Sequence, residues 1–156
     1  MSTEVSGDGL LFRMLLGELA ESLSIPKLEP GADGSCHVVF DGKVAVELRQ
    51  EAGWLVLFAT LGRIDEESGP ISMPRLLEAN LFWQGTAGAT IGMSRAGLVV
   101  MAHRLPLAGF SLPALRDALE QFINTAEHWQ ATVSQPADLT GAHDMLASAT
   151  AEFVRV

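Results

Sequence analysis

A chain of 156 residues is long enough to fold as one domain around a real hydrophobic core. Its formal charge of -9, from 19 acidic against 10 basic side chains, excludes an electrostatic grip on nucleic acid or anionic lipid, which needs Lys and Arg to replace counterions. Its one cysteine, Cys36, excludes an intrachain disulfide and so a disulfide-framed secreted domain, and a reducing, cytoplasmic setting is expected. The opening MSTEVSGDG lacks the basic-then-apolar pattern of a signal peptide, and no run approaches the ~18 apolar residues that span a bilayer, so no membrane insertion is expected. The acidity itself reads two ways, as a solubility device or as a match for a basic or amphipathic partner.

Residues 1–9 read as a flexible terminus. Residues 10–23 predict a helix whose stripe is Phe12, Leu16, Leu19 and Leu23. Leu11 and Leu15 flank that stripe, and Leu10 and Met14 fall nearly opposite it, so this helix is more apolar than a one-sided surface helix requires. Pro26 and Pro30 open a loop. Three strands follow, at 36–40, 43–49 and 54–60. Asp41-Gly42 signals a tight hairpin between the first two. The second alternates apolar and polar residues, whereas the third is apolar on both faces and should be central or covered.

After a polar loop at 62–70, a helix is expected over about 73–84, capped by Ser72, with Pro74 in its first turn and Gly85 as its stop. Its apolar set is Leu76, Leu77, Leu81, Phe82 and Trp83. Strands at 89–93 and 98–104 come next. A long helix at about 112–130, capped by Ser111, follows, with Leu115, Leu119, Phe122, Ala126 and Trp129 on one face. Residues 131–156 form an extension in which Leu139, Met145, Leu146 and Phe153 suggest a weak helix or a mobile tail. The order α-β-β-β-α-β-β-α, with hairpins inside each strand group, predicts an α+β domain at 10–130: a twisted, antiparallel, five-stranded sheet carrying three helices.

The composition adds a second constraint. Hydrophobic residues make up 48% of the chain, charged ones 19% and the mean hydropathy is +0.26, whereas about a quarter of an ordinary soluble domain is charged. A small domain has too much surface to hide every apolar side chain, so part of this surplus should meet a partner, a second copy or both.

Chemistry is not legible in the chain. His37, His103, His128 and His143 stand in no zinc-site spacing, and no metal or cofactor is expected. His37 neighbours Cys36 on a strand, which points the two side chains to opposite faces and argues against a Cys–His pair. Cys36 then reads as a small apolar residue. Asp65-Glu66-Glu67 sit in a polar loop with nothing apolar to raise a carboxyl pKa. No GxSxG, phosphate loop or GxGxxG is present. An enzyme is not expected.

The stretch from Leu76 to Trp129 is the most distinctive. It runs LLEANLFWQ, a Gly-rich link, TIGMSRAGLVVMAHRLPL and LPALRDALEQFINTAEHW. With the preceding helix and three strands, it resembles the class I type III secretion chaperones, the Tir chaperone (CesT-type) family, over about residues 8–130. The resemblance implies a cytoplasmic bacterial homodimer without catalytic activity. Such a dimer binds the N-terminal, largely extended segment of one or more secreted effectors, fills its apolar patches with their side chains and offers a sheet edge for strand addition. The secretion ATPase, a separate protein, is a further candidate partner.

On that basis the peptide-contacting candidates are Leu10, Leu11, Met14, Leu15, Val38 and Phe40, with the first strand as the candidate free edge. Leu11, Leu15 and Phe40 read equally as core side chains. The dimer candidates implied are Leu77, Asn80, Leu81, Trp83, Ile91 and Met93. Asn80, polar in an apolar helix, reads either as a buried hydrogen-bonding group that sets register or as a surface residue. Two rival readings remain: a non-secretory adaptor or regulatory dimer of the YbjN-like kind, which explains the same fold and lack of chemistry, and a small-molecule enzyme or ligand binder, which requires a closed pocket with convergent polar groups.

Overall fold

The computed structural model describes residues 7–64 and 73–133, and the backbone of 154–155. Helix α1 spans Gly7–Ser22 and is followed by strands β1 (Ser35–Phe40), β2 (Val44–Glu51) and β3 (Trp54–Arg63). Helix α2 (Met73–Ala79) and a single 3-10 turn (Leu81–Trp83) lead into β4 (Thr90–Met93), β5 (Leu98–Pro106), helix α3 (Leu112–Val133) and a short strand β6 (Val154–Arg155). The strands form one sheet in the order β4-β5-β3-β2-β1-β6. The five expected strands pair antiparallel, as their hairpin order requires.

Local chemistry sets the hairpins. Asp41 and Gly42 both take positive φ (51° and 66°), and the Lys43 N–H donates to the Phe40 carbonyl at 2.9 Å, which closes a tight turn between β1 and β2. Gly97 has φ 80°, and a Cβ there would collide with the Ile64 carbonyl oxygen, so only glycine fits between β5 and the end of β3.

One face of the sheet carries Val38, Val44, Val46, Leu48, Leu55, Leu57, Val99 and Met101, all fully buried. Phe12, Leu16 and Leu19 of α1 and Leu115, Leu119, Phe122, Ala126 and Trp129 of α3 seal that face. The helical stripes expected from spacing are therefore the core, with Leu23 at its margin. Strand β3 is central, as its two apolar faces require. On the sheet's other face Val56 and Phe58 are half-buried, and the Arg104 guanidinium lies 4.1 Å over the Trp54 ring.

Helix α1 begins at Gly7, inside the stretch 1–9 expected to be a flexible terminus, because residues 7–9 continue its first turn. Four further features depart from the expectations. β3 continues to Arg63, past a register shift between Thr60 and Gly62 that inserts Leu61. The second helix is shorter than expected: α2 stops at Ala79, not near residue 84. Phe82 and Trp83 both have φ 54°, so the following turn cannot continue the helix. α3 runs three residues beyond 130 to Val133. Finally, a sixth strand joins the sheet in parallel: β6 pairs with β1, Val38 against Val154 and Val39 against Arg155, so the edge expected to be free carries a strand. Ser72, the acidic run at 65–67, His143 and the expected weak helix around Leu139, Met145, Leu146 and Phe153 lie outside the described residues.

Candidate functional site

Two exposed apolar regions stand apart from the core. The first is on α1. Leu10 and Met14 are 57% and 55% exposed, the result of helical spacing that turns them away from the buried stripe. Beside them a shallow groove runs between α1 and the start of α3, lined by Leu11, Met14, Leu15, Phe110, Leu112 and Pro113, with Glu18 and Glu21 at its rim. Leu11, Phe110 and Leu112 are half-buried there, packed on the core from outside.

Of the peptide-contacting candidates, this groove brings together Leu11, Met14 and Leu15. Leu10 stands on the same helix outside its lining. Leu15 is buried and offers only an edge to the groove floor. Val38 is fully buried under the helices, so its side chain is core, while its backbone lies on the β1 edge. Phe40 is half-buried at the margin of the core.

The second region surrounds the kink after α2. Leu77, Leu81, Phe82, Trp83 and Met93 are all exposed, Phe82 and Trp83 by 76% and 56%. Two consecutive aromatic residues with positive φ are strained, at a cost on the order of 1–3 kcal/mol each. The surrounding structure holds them in place. The Trp83 N–H donates to the Asn80 carbonyl at 3.0 Å, and the Trp129 indole N–H donates to the Gly85 carbonyl at 2.8 Å, tying the turn to α3.

Asn80 resolves in favour of its structural role. Its side-chain amide donates to the Ile91 carbonyl, and the Ile91 N–H donates to its amide oxygen, both at 2.8 Å. The amide thus mimics a neighbouring strand against the outer edge of β4. Ile91 itself is buried in the domain core. One step earlier the Ala89 N–H donates to the Thr86 carbonyl at 3.0 Å, and the Thr86 hydroxyl donates to the Ala89 carbonyl. The β4 edge is thereby capped from within the chain.

The site's ionisable groups are structural. Burial pushes the Cys36 thiol up to about 11, so it stays protonated and inert. Asp33, Ser35 and His37 adjoin one another, but the Ser35 hydroxyl donates to Asp33 at 2.7 Å and is 2% exposed; a hydroxyl so committed is not an accessible nucleophile. Hydrogen bonds from Ser35 hold the Asp33 carboxyl below its ordinary range. Burial alone lowers the His103 pKa. Among the described residues no cluster of His, Cys, Asp or Glu is arranged to hold a metal ion, and no helix is long and apolar enough to cross a membrane.

The family model of the Tir chaperone protein (CesT) family matches residues 14–130, most of the chain. This chain belongs to that family. No curated protein matches its sequence. Among solved structures, it is similar to a chain of the HopA1–SchA chaperone–effector complex at 22% identity, covering 78% of this chain and 94% of that one, with a TM-score of 0.68. A chain of the ExsC–ExsE complex gives 24% identity, 81% and 96% coverage and a TM-score of 0.70. The structure of the Yersinia pestis type III secretion chaperone SycH with a stable fragment of YscM2 gives 22%, 79%, 99% and 0.63. At such identities the likeness speaks for the fold, and the family match carries the assignment. Members of the CesT family are effector-binding chaperones rather than enzymes.

Reasoning from sequence missed three residues of this CesT-family chaperone. Phe110 and Leu112 complete the groove. Phe110 directly precedes the helix cap Ser111, whose oxygen accepts from the Ala114 N–H at 3.4 Å, and that staple position is a legible signal for an apolar residue at a helix mouth. Phe82 belongs to the exposed patch, but only the unforeseen kink turns it outward.

Proposed function

We infer that this protein is a cytoplasmic chaperone of type III secretion that holds the N-terminal, extended segment of one or more secreted effectors and keeps them soluble until export. The observation that carries this reading is the groove between α1 and α3 on a CesT-family fold, apolar at its floor and acidic at its rim. Such a groove accepts alternate side chains of an extended peptide, while a sheet edge accepts its backbone. Leu10, Leu11 and Met14 are the client-contacting side chains. Leu15 supports the groove floor, and Val38 and Phe40 contribute through the backbone of the β1 edge. Co-expression with the secreted proteins of the same bacterium should yield a stable soluble complex, and weaker binding by an L10E/M14E double variant that still folds supports the groove. Failure to bind any secreted protein, with a folded cytosolic partner captured instead, contradicts the reading in favour of a non-secretory adaptor.

The chaperone works as a homodimer through the second apolar region. Leu77, Leu81, Phe82, Trp83 and Met93 form an exposed apolar surface of the kind monomeric proteins rarely leave open. Strain at Phe82 and Trp83 is offset once the rings are buried against a second copy. Asn80 and Ile91 hold that surface rigid rather than touch the partner. Light scattering should give a mass near twice 16.6 kDa at micromolar concentration, and a monomer there contradicts the dimer. The secretion ATPase is the recipient to which such a chaperone presents its client, which binding of the loaded complex to the purified ATPase tests.

A further inference from the structure

We propose that strand β6 is an internal stand-in for the client: it occupies the β1 edge in the unloaded chaperone and is displaced when a client strand adds there. The proposal rests on the reading of the chain as a secretion chaperone. The two outer strands of the antiparallel sheet are treated differently by the chain. At β4 the Asn80 amide meets the N–H and carbonyl of Ile91, and Thr86 meets those of Ala89 just before the strand, all from the adjoining turn. At the start of β1 the adjoining turn meets Ser35, whose N–H donates to Asp33 and whose carbonyl accepts from Gly31, but farther along the strand the cover is the two-residue parallel pairing of Val38 with Val154 and Val39 with Arg155. A pairing that short carries little stability by itself and is readily exchanged for a longer strand.

Sequence and chain length favour this occupant. Phe153-Val154-Arg155-Val156 has the β-branched and aromatic composition of a strand. From β3, over which α3 ends with the Gln130 side chain donating to the Thr60 carbonyl, the far side of β1 is three strand spacings away, about 15 Å. Residues 134–153 span more than that distance at ~3.3 Å per residue, so the connection permits the pairing and also permits release. An occupied edge also prevents sheet-to-sheet pairing between unloaded copies, which an open β1 invites.

The test uses the full-length variant Val154→Pro, in which proline removes the N–H and the geometry of a ladder residue. Amide hydrogen exchange should quicken at least tenfold within residues 38–40 while β2 and β3 keep their protection. Added peptide of the chain's own sequence 150–156 should restore slow exchange to the variant. The secreted protein recovered by co-expression should bind the variant about tenfold more tightly than the unaltered chain, ~1.4 kcal/mol. Unchanged exchange in the variant overturns the proposal whatever the protein binds. Faster exchange with unchanged client affinity also overturns it and leaves the chaperone reading standing. Absence of client binding by both forms overturns the two together.

Discussion

The two edges of the sheet solve one problem in opposite ways. At β4 the chain caps itself: Asn80 presents its amide to Ile91 as a strand would, Thr86 serves Ala89, and the exposed apolar residues around the kink leave side chains as the means of association. At β1 the turn before the strand closes Ser35, a two-residue strand covers Val38 and Val39, and helix α1 exposes Leu10 and Met14. A permanently capped edge suits a fixed, side-chain-driven contact between two copies. A provisionally covered edge suits a partner that arrives, adds a strand and later leaves. The difference lies in who supplies the hydrogen bonds, because an unsatisfied edge attracts any strand that reaches it.

The largest effect is expected at the kink. Changing Leu81 and Trp83 together to Asp should weaken the dimer at least 100-fold and bring the mass in light scattering to 16.6 kDa, with circular dichroism unchanged because both side chains are outside the core. Asn80→Leu should follow in size. It strands the Ile91 N–H and carbonyl, and urea unfolding should show a loss of about 2 kcal/mol. On the other side of the sheet, L10E/M14E should weaken client binding about tenfold, ~1.4 kcal/mol, while stability stays within about 0.5 kcal/mol.

The smallest effect sharpens the fold rather than the edges. Burial disfavours the cation of His103 in the folded state, so its folded pKa lies below the ordinary 6.5. The unfolded chain therefore binds more protons as pH falls through 6.5. Stability is complete above that value and declines below it, and a His103→Gln variant should lack this step in unfolding curves measured between pH 7 and pH 5.

What was legible in the sequence was what periodicity and turn chemistry control. The stripes Phe12-Leu16-Leu19 and Leu115-Leu119-Phe122-Ala126-Trp129 are the buried faces, and Asp41-Gly42 closes the turn where two positive φ values are needed. Spacing also turned Leu10 and Met14 outward. It failed where tertiary contacts overrule local pattern. Leu81, Phe82 and Trp83 continue a helical apolar set, yet the chain kinks there because Asn80 leaves the helix to bond β4 and the Trp129 indole holds Gly85. Val38 alternates like any half-exposed strand residue, but α1 and α3 cover its face. Strand β6 was missed because its two residues gain strand form only from β1, twenty-odd interrupted positions after the last strong pattern.

The most direct test is a crystal structure of the chaperone with the secreted protein it co-purifies with. The account predicts a client strand hydrogen-bonded along β1, client side chains against Leu11, Met14, Phe110 and Leu112, β6 released, and the β4 edge still capped by Asn80. A client strand on β4, or one bound elsewhere with β6 still paired to β1, contradicts it.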